Sequence, residues 1–185
     1  RHEDVVMLAG VPTWTSVLFR RMLEMTGCSN MREVWPDLKT YFHGGVGFDP
    51  YAAQFREFLP GSDMEFYEVY NASEGYFAVQ DRLNQKGMLL LLDNSIYYEF
   101  IPLENIGQAD PATLELSQVE EGKDYSIVIS TSAGLWRYMP GDVVRFISTD
   151  PYRIMVSGRT KQYINVFGEE VMVHNTDAAV SKACA

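Results

Sequence analysis

The chain changes texture once along its length, and that change limits what it can fold into. Up to Glu74, helix-like and strand-like segments alternate. Pro12 opens an apolar pattern at Val17, Leu18, Met22, Leu23 and Met25 that reads as a capped helix ending near Gly27. Leu38–Phe42 reads as a strand running into His43-Gly44-Gly45. Asp49-Pro50 then offers an N-cap and a first helical position for a second helix, whose apolar face is Ala52, Phe55, Phe58 and Leu59. Met64–Tyr70 reads as the next strand, and strand, helix, strand implies parallel pairing through a right-handed crossover. Beyond Glu74 the runs are short: Tyr76–Val79, Met88–Leu92, Ile96–Ile101, Tyr125–Ser130, Val143–Ile147 and Arg153–Val156. Turn signals such as Asn84-Gln-Lys-Gly87 and Asp93-Asn-Ser95 split them, which predicts antiparallel hairpins or a small barrel. A further break falls near Gly158, followed by a strand at Tyr163–Phe167, a turn and a final helix. The expected fold class is α/β, with a parallel layer running into a β-rich, barrel-like subdomain.

A chain of 185 residues suits one ordinary domain or parts of two. Its 46% hydrophobic and 13% aromatic content supplies a core and argues against disorder. The net charge of −10 and pI near 4.7 argue against a nucleic-acid partner, because a phosphate backbone needs basic patches. A single nucleotide is still compatible, since local dipoles and individual cations hold phosphates. Cys28 and Cys184 lie far apart and outside metal-type spacing, so neither a disulfide framework nor a zinc site is expected. Reduced cysteines point to the cytoplasm. Met88–Leu92 is strand-sized, and no apolar run reaches membrane length. The opening Arg1-His-Glu-Asp4 is not a signal peptide and lacks an initiator Met, which suggests a fragment or processed chain.

Four short stretches carry residue types suited to a ligand. Tyr70-Asn-Ala-Ser73-Glu74-Gly75 is expected just past the end of a parallel strand, where open α/β sheets bind ligands. Tyr70 could stack on a base, Ser73 touch a phosphate, and Glu74 hold Mg²⁺; a polar strand-end loop explains the same residues. His43-Gly44-Gly45 ends the neighbouring strand, and paired glycines let a ligand approach the backbone or simply make a tight turn. Gly141-Asp142 could present an acceptor-only carboxylate to a ribose diol, or could be part of a Pro-Gly-Asp turn. Ser157-Gly158-Arg159-Thr160-Lys161 reads as a hinge with cations for phosphate or ribose, or as an exposed basic turn. Glu169-Glu170 reads as a solvated turn. There is no Gly-x-Ser-x-Gly elbow, His-Glu-x-x-His or P-loop, and His2, His43 and His174 lack metal spacing.

In this order the motifs resemble the auxin-responsive acyl-acid amido synthetases, a branch of the firefly-luciferase-like adenylate-forming superfamily, and most of all their bacterial relatives. The resemblance spans essentially the whole chain. It rests on Ala9-Gly-Val-Pro-Thr-Trp14, Tyr41-Phe-His-Gly-Gly-Val46, Tyr70-Asn-Ala-Ser-Glu74, Gly134-Leu-Trp-Arg-Tyr138 with Gly141-Asp142, and Gly158-Arg-Thr-Lys161 with Phe167-Gly-Glu-Glu170. It implies a large N-terminal domain, whose C-terminal portion would be residues 1–157, and a small C-terminal domain, whose hinge and beginning would be residues 158–185. It implies ATP and Mg²⁺ as cofactors, with a carboxylic acid and an amino acid or other amine as substrates. Tyr70 would contact adenine, Ser73 phosphate, Glu74 Mg²⁺ and Asp142 ribose. Arg159 would contact the nucleotide, with Gly158 and Lys161 at the hinge. His43, Gly44 and Gly45 would line the adenine and acyl pocket. No Ser/Thr/Gly-rich phosphate loop precedes Tyr70, so the chain is expected to be an internal segment, inactive alone. A thioester-forming ligase and a non-catalytic nucleotide-binding module are the alternatives.

Overall fold

The computed structural model describes residues 3–61, 63–83, 85–160, 163–166 and 169–172. The chain divides into two compact units, Arg1–Asn94 and Ser95–Ala185.

In the first unit five strands run β1 (Met7–Gly10), β2 (Thr40–His43), β3 (Glu65–Ala72), β4 (Gly75–Val79) and β5 (Met88–Leu90), adjacent in that order. β1 pairs parallel with β2, and β2 pairs parallel with β3. Helix α1 (Pro12–Thr26) joins the first pair, and α3 (Ala52–Phe58) joins the second. A single turn, α2 (Met31–Val34), follows α1. Phe19 of α1, Phe55 and Phe58 of α3, and Tyr41 of β2 share one buried cluster with Met31, Leu38 and Leu59. Both connecting helices therefore cover the same face of the sheet. The Tyr41 ring stacks on Phe55 at 4.9 Å, and its hydroxyl donates to Gly10 O at 2.8 Å, fastening β2 to the end of β1.

Local differences from the sequence expectations have identifiable causes. Helix α1 starts at Pro12 as expected, but its N-cap is Val11, with no side-chain cap; Gly27 ends it in the left-handed conformation at φ 72°. β2 begins at Thr40 rather than Leu38, because Leu38 is committed to the core and its carbonyl accepts from Arg32 Nη1 at 2.8 Å. Asp49 opens a 3₁₀ turn (Asp49–Tyr51) and does not cap α3. The Phe48 carbonyl already accepts from the amides of Tyr51 (2.8 Å) and Ala52 (3.1 Å), two donors that such a cap would have served.

In the second unit four antiparallel strands lie in the order β9-β8-β7-β6: β6 (Ile96–Pro102), β7 (Asp124–Thr131), β8 (Asp142–Thr149) and β9 (Tyr152–Arg159). Alternating residues bury Phe100, Tyr125, Ile127, Phe146 and Ile154. Phe146 sits 5.1 Å from Phe100 and 5.8 Å from Tyr125, both edge-on, as aromatic quadrupoles prefer. β9 continues through Gly158, which pairs with Val143, so the break read at Gly158 moves to the end of β9. β10 (Tyr163–Val166) and β11 (Glu169–Met172) form an antiparallel pair. Glu169 and Glu170 are thus not a turn: they open β11 opposite Val166 and Asn165. Lys161 and the expected final helix lie outside the described residues.

Candidate active site

The Tyr70–Gly75 motif is only partly a loop. β3 carries Tyr70, Asn71 and Ala72, and Ser73-Glu74 alone make the turn into β4. The strand continues because it changes partner. Its first half pairs parallel with β2 up to Glu68, and from Val69 it pairs antiparallel with β4. A register shift falls between Tyr70 and Asn71. This corrects the expectation of a strand-end loop: the backbone groups from Val69 onward have a neighbouring strand to satisfy them. Tyr70 is 7% exposed, with its ring 4.9 Å from Phe77, so little of the ring is left for a ligand to stack on. Ser73 is exposed and Glu74 half-buried at the tip of the hairpin, where both side chains remain reachable.

The carboxyl ends of β1 and β2 form the second part of the site. Gly44 follows β2 at a close approach of two backbones; a Cβ there would lie 2.3 Å from Val69 O. Gly45 stands at φ +79°, where a Cβ would meet Val11 at 3.4 Å. His43 is 4% exposed and stacks on Phe48 with centroids 4.0 Å apart. Its Nδ1 is buried without a hydrogen-bond partner. Burial disfavours the imidazolium and lowers its pKa to about 4, so the ring is neutral at pH 7.

Glu68 belongs with this group and went unrecognised in the sequence. It is the register partner of His43, as Phe66 is of Tyr41, so all four side chains share the helix-covered face. Burial raises its pKa, and the charge of Asp49 raises it further. The available signal was period two: an acid at the inward position of Phe66, Glu68, Tyr70 is out of place in a purely structural strand.

In the second unit Asp142 opens β8 and is 8% exposed. Its Oδ1 accepts from Arg159 Nε at 2.8 Å across the β8–β9 pair. The expected ribose acceptor and one of the expected cations are therefore joined, the carboxylate largely buried and the guanidinium more open. Thr160 tightens this end: its N–H and Oγ1 both donate to Gly141 O, at 2.7 and 3.2 Å. Among the described residues no three His, Cys, Asp or Glu side chains gather as a metal cage. Glu74 is a single, partly exposed carboxylate at the hairpin tip.

Comparison with known proteins gives a consistent answer. Residues 89–159 match the GH3 family central domain. The jasmonoyl–L-amino acid synthetase JAR4 of Nicotiana attenuata is 32% identical over 120 residues, covering 61% of this chain and 20% of that protein. The indole-3-acetic acid-amido synthetase GH3.8 of Oryza sativa subsp. indica is 34% identical over 122 residues, covering 60% and 20%. The chain spans about a fifth of the length of these curated relatives. Among solved structures, AtGH3.15 acyl acid amido synthetase in complex with 2,4-DB superposes with TM-score 0.59 at 20% identity, over 86% of this chain and 29% of that one. A 2-hydroxyisobutyryl-CoA ligase in complex with 2-HIB-AMP and CoA reaches TM-score 0.64 at 17% identity, over 96% and 37%. At these identities the superpositions establish the fold alone, one shared with an amido synthetase and a CoA ligase. Residues 89–159 thus match the GH3 family central domain, and over about 60% of its length the chain is similar to GH3 amido synthetases.

Proposed function

We propose that the full-length protein is an ATP-dependent acyl-acid amido synthetase. A carboxylate oxygen of the acid attacks the α-phosphorus of ATP, the bond to the β-phosphate oxygen breaks, and acyl-adenylate and pyrophosphate result. The nitrogen of an amino acid or other amine then attacks the acyl carbon. AMP leaves, the nitrogen loses a proton, and an amide forms. The observation that carries this reading is Asp142: a largely buried carboxylate at the start of β8, within the stretch that matches the GH3 central domain.

In this reading Asp142 accepts hydrogen bonds from the ribose hydroxyls, with Arg159 holding the carboxylate and offering its exposed face to the nucleotide. Ser73 meets a phosphate and Glu74 holds Mg²⁺, which when bound neutralises phosphate charge. His43, Gly44, Gly45 and Glu68 line the base and acyl pocket, where Glu68 offers an acceptor to an amino group. Tyr70 backs that pocket through Phe77 rather than stacking freely. Because Gly158 is paired within β9, the hinge would fall after Arg159, where β9 ends. The two widely spaced cysteines fit a reducing, cytoplasmic setting.

Asp142→Ala in the full-length protein is expected to weaken ATP binding about tenfold, from lost charge-assisted hydrogen bonds. Equilibrium binding of a non-hydrolysable ATP analogue measures it, and unchanged affinity in a folded variant returns Asp142 to a turn-forming role. A thioester-forming ligase is the second reading, favoured by the superposition on a CoA ligase. Supplying acyl-adenylate with either an amino acid or CoA separates the two by the product formed.

A further inference from the structure

The ribose-binding role assigned to Asp142 leaves unexplained how the segment that delivers it is held. That segment runs from Thr131 at the end of β7 to Asp142 at the start of β8. Arg137 sits in its middle with φ +46°, one of two non-glycine residues with positive φ among those described. A side chain in this region costs conformational energy and persists where the surroundings over-determine it. Here they do. The Arg137 amide donates to Ser130 Oγ at 3.0 Å. Its Nε donates to Glu99 Oε2 at 3.2 Å and its Nη2 to Thr113 Oγ1 at 3.3 Å. Thr113 Oγ1 in turn donates to Glu99 Oε1 at 2.8 Å, closing a three-member ring of contacts. Glu99 lies on β6 opposite Val128 of β7, with its side chain only 15% exposed.

The neighbouring residues fix the rest of the segment. Tyr138 exchanges two 2.8 Å backbone hydrogen bonds with Ile129 of β7. Four residues after Arg137, the Gly141 carbonyl is held by Thr160. Only Met139 and Pro140 lie between these anchors, and Asp142 follows directly on Gly141. Trp136, immediately before Arg137, is 82% exposed.

We propose that Arg137 is a positioning residue for the nucleotide: pinned by Glu99 and Thr113, it sets the course of residues 137–141 so that the Asp142 carboxylate meets Arg159 and the ribose at a fixed place. Arg137 acts through Asp142 and touches no reacting atom. The inference rests on the amido synthetase reading and on Asp142 as its ribose acceptor. It reaches past that reading by naming a residue and a contact ring remote from the ligand that govern nucleotide affinity.

The test uses the full-length protein and initial rates of acid-dependent ATP–pyrophosphate exchange. Arg137→Ala and, from the opposite side of the pair, Glu99→Gln are each expected to raise the KM for ATP about tenfold, the effect of a misplaced charge-assisted contact, with kcat changed less than about twofold. Arg137→Lys should recover part of the ATP affinity, because a cation can still reach Glu99. The KM for the acid should stay unchanged in all three. Asp142→Ala, run alongside, distinguishes the two levels of failure. A raised KM in Asp142→Ala with an unchanged KM in Arg137→Ala and Glu99→Gln overturns the positioning role alone. An unchanged KM in Asp142→Ala overturns the ribose assignment and the positioning role with it. Loss of kcat in step with melting temperature, with no shift in the KM for ATP, shows a stability role only and also overturns the proposal.

Discussion

The two units hold their candidate groups by different means. At the carboxyl ends of β1–β3 the geometry is set by backbone fit: Gly44 lets one strand end lie against the Val69 carbonyl, and Tyr41 ties β2 to Gly10. Among the described residues there, His43 is buried with its Nδ1 unpartnered, and Glu68 is half-buried with its pKa raised by burial and by the charge of Asp49. In the second unit the candidate groups are engaged with one another: Asp142 with Arg159, Glu99 with Arg137, Asp124 with Arg145. The first arrangement depends on shape and fails when volume is added. The second depends on charge and fails when a partner is removed or screened.

The largest effect is expected from adding one methyl group to the first unit. Gly44→Ala places a Cβ against a backbone oxygen that cannot move without parting β3 from β2, and should cost about 3 kcal/mol of unfolding free energy. Gly47→Ala, where a Cβ meets nothing within 4 Å, should change stability by less than about 0.5 kcal/mol. Chemical denaturation of both variants measures the contrast. Equal effects would mean that the strand ends are not held by close fit.

A somewhat smaller effect concerns pH. The folded-state pKa of His43, about 4, is below its ordinary value of 6.5, so the unfolded chain binds more protons between those limits. Its contribution to stability is full above pH 6.5 and is lost as pH falls toward 4, by at most about 3 kcal/mol. Glu68, with a raised pKa, works the other way, gaining relative stability as it is protonated on acidification. In His43→Leu the loss between pH 6.5 and 4 should shrink markedly, as read from urea midpoints at several pH values. An unchanged profile would place the responsible groups elsewhere.

The smallest effect is in the second unit. Arg145 Nε donates to Asp124 Oδ1 at 3.0 Å in a partly exposed pair on neighbouring strands. Arg145→Ala should cost about 1 kcal/mol or less, diminishing in high salt. The Arg145 guanidinium, with Ser157 assisting, holds the Asp124 carboxyl below its usual range. The pair's contribution is therefore present above the ordinary carboxylate pKa and lost in strong acid, as pH falls through the lowered folded value. A loss that persists in molar salt would show that the arginine matters here for packing rather than charge.

What could be read from the sequence follows the same division. The alternation of strands and helices, the stop at Gly27 and the inward residues Phe55, Phe58 and Leu59 all follow from period and turn chemistry, which are local. α2 escaped notice because it is one turn long; its only signal is Asn30, whose side chain accepts from Arg32 N at 3.0 Å. The hairpin after Ala72 escaped because Ser73-Glu74 is not one of the Gly- or Asn-containing pairs that announce two-residue turns. The sequence reads as a strand ending at Tyr70 with a loop after it, whereas β3 runs on through Ala72. Asp142 and Arg159 were each named as candidates, but their union depends on the β8–β9 register, which no residue reports alone. The ring around Arg137 brings together residues 38 and 24 positions apart, and such closures become visible only in three dimensions.

The double allegiance of β3 has a consequence for how this region can vary in length. Its first half is registered against β2 and its second against β4, with no loop between them to absorb a change. From Glu68 to Ala72 the chain is a strand segment about 13 Å long at the usual rise per strand residue. Losing one residue from it would turn Tyr70 away from Phe77 or Glu68 away from His43, since each step reverses the face on which a side chain lies. Natural insertions and deletions should therefore accumulate in the connections before Thr40 and after Val79 and spare residues 65–79. Point substitutions remain open within that span, but its number of residues does not.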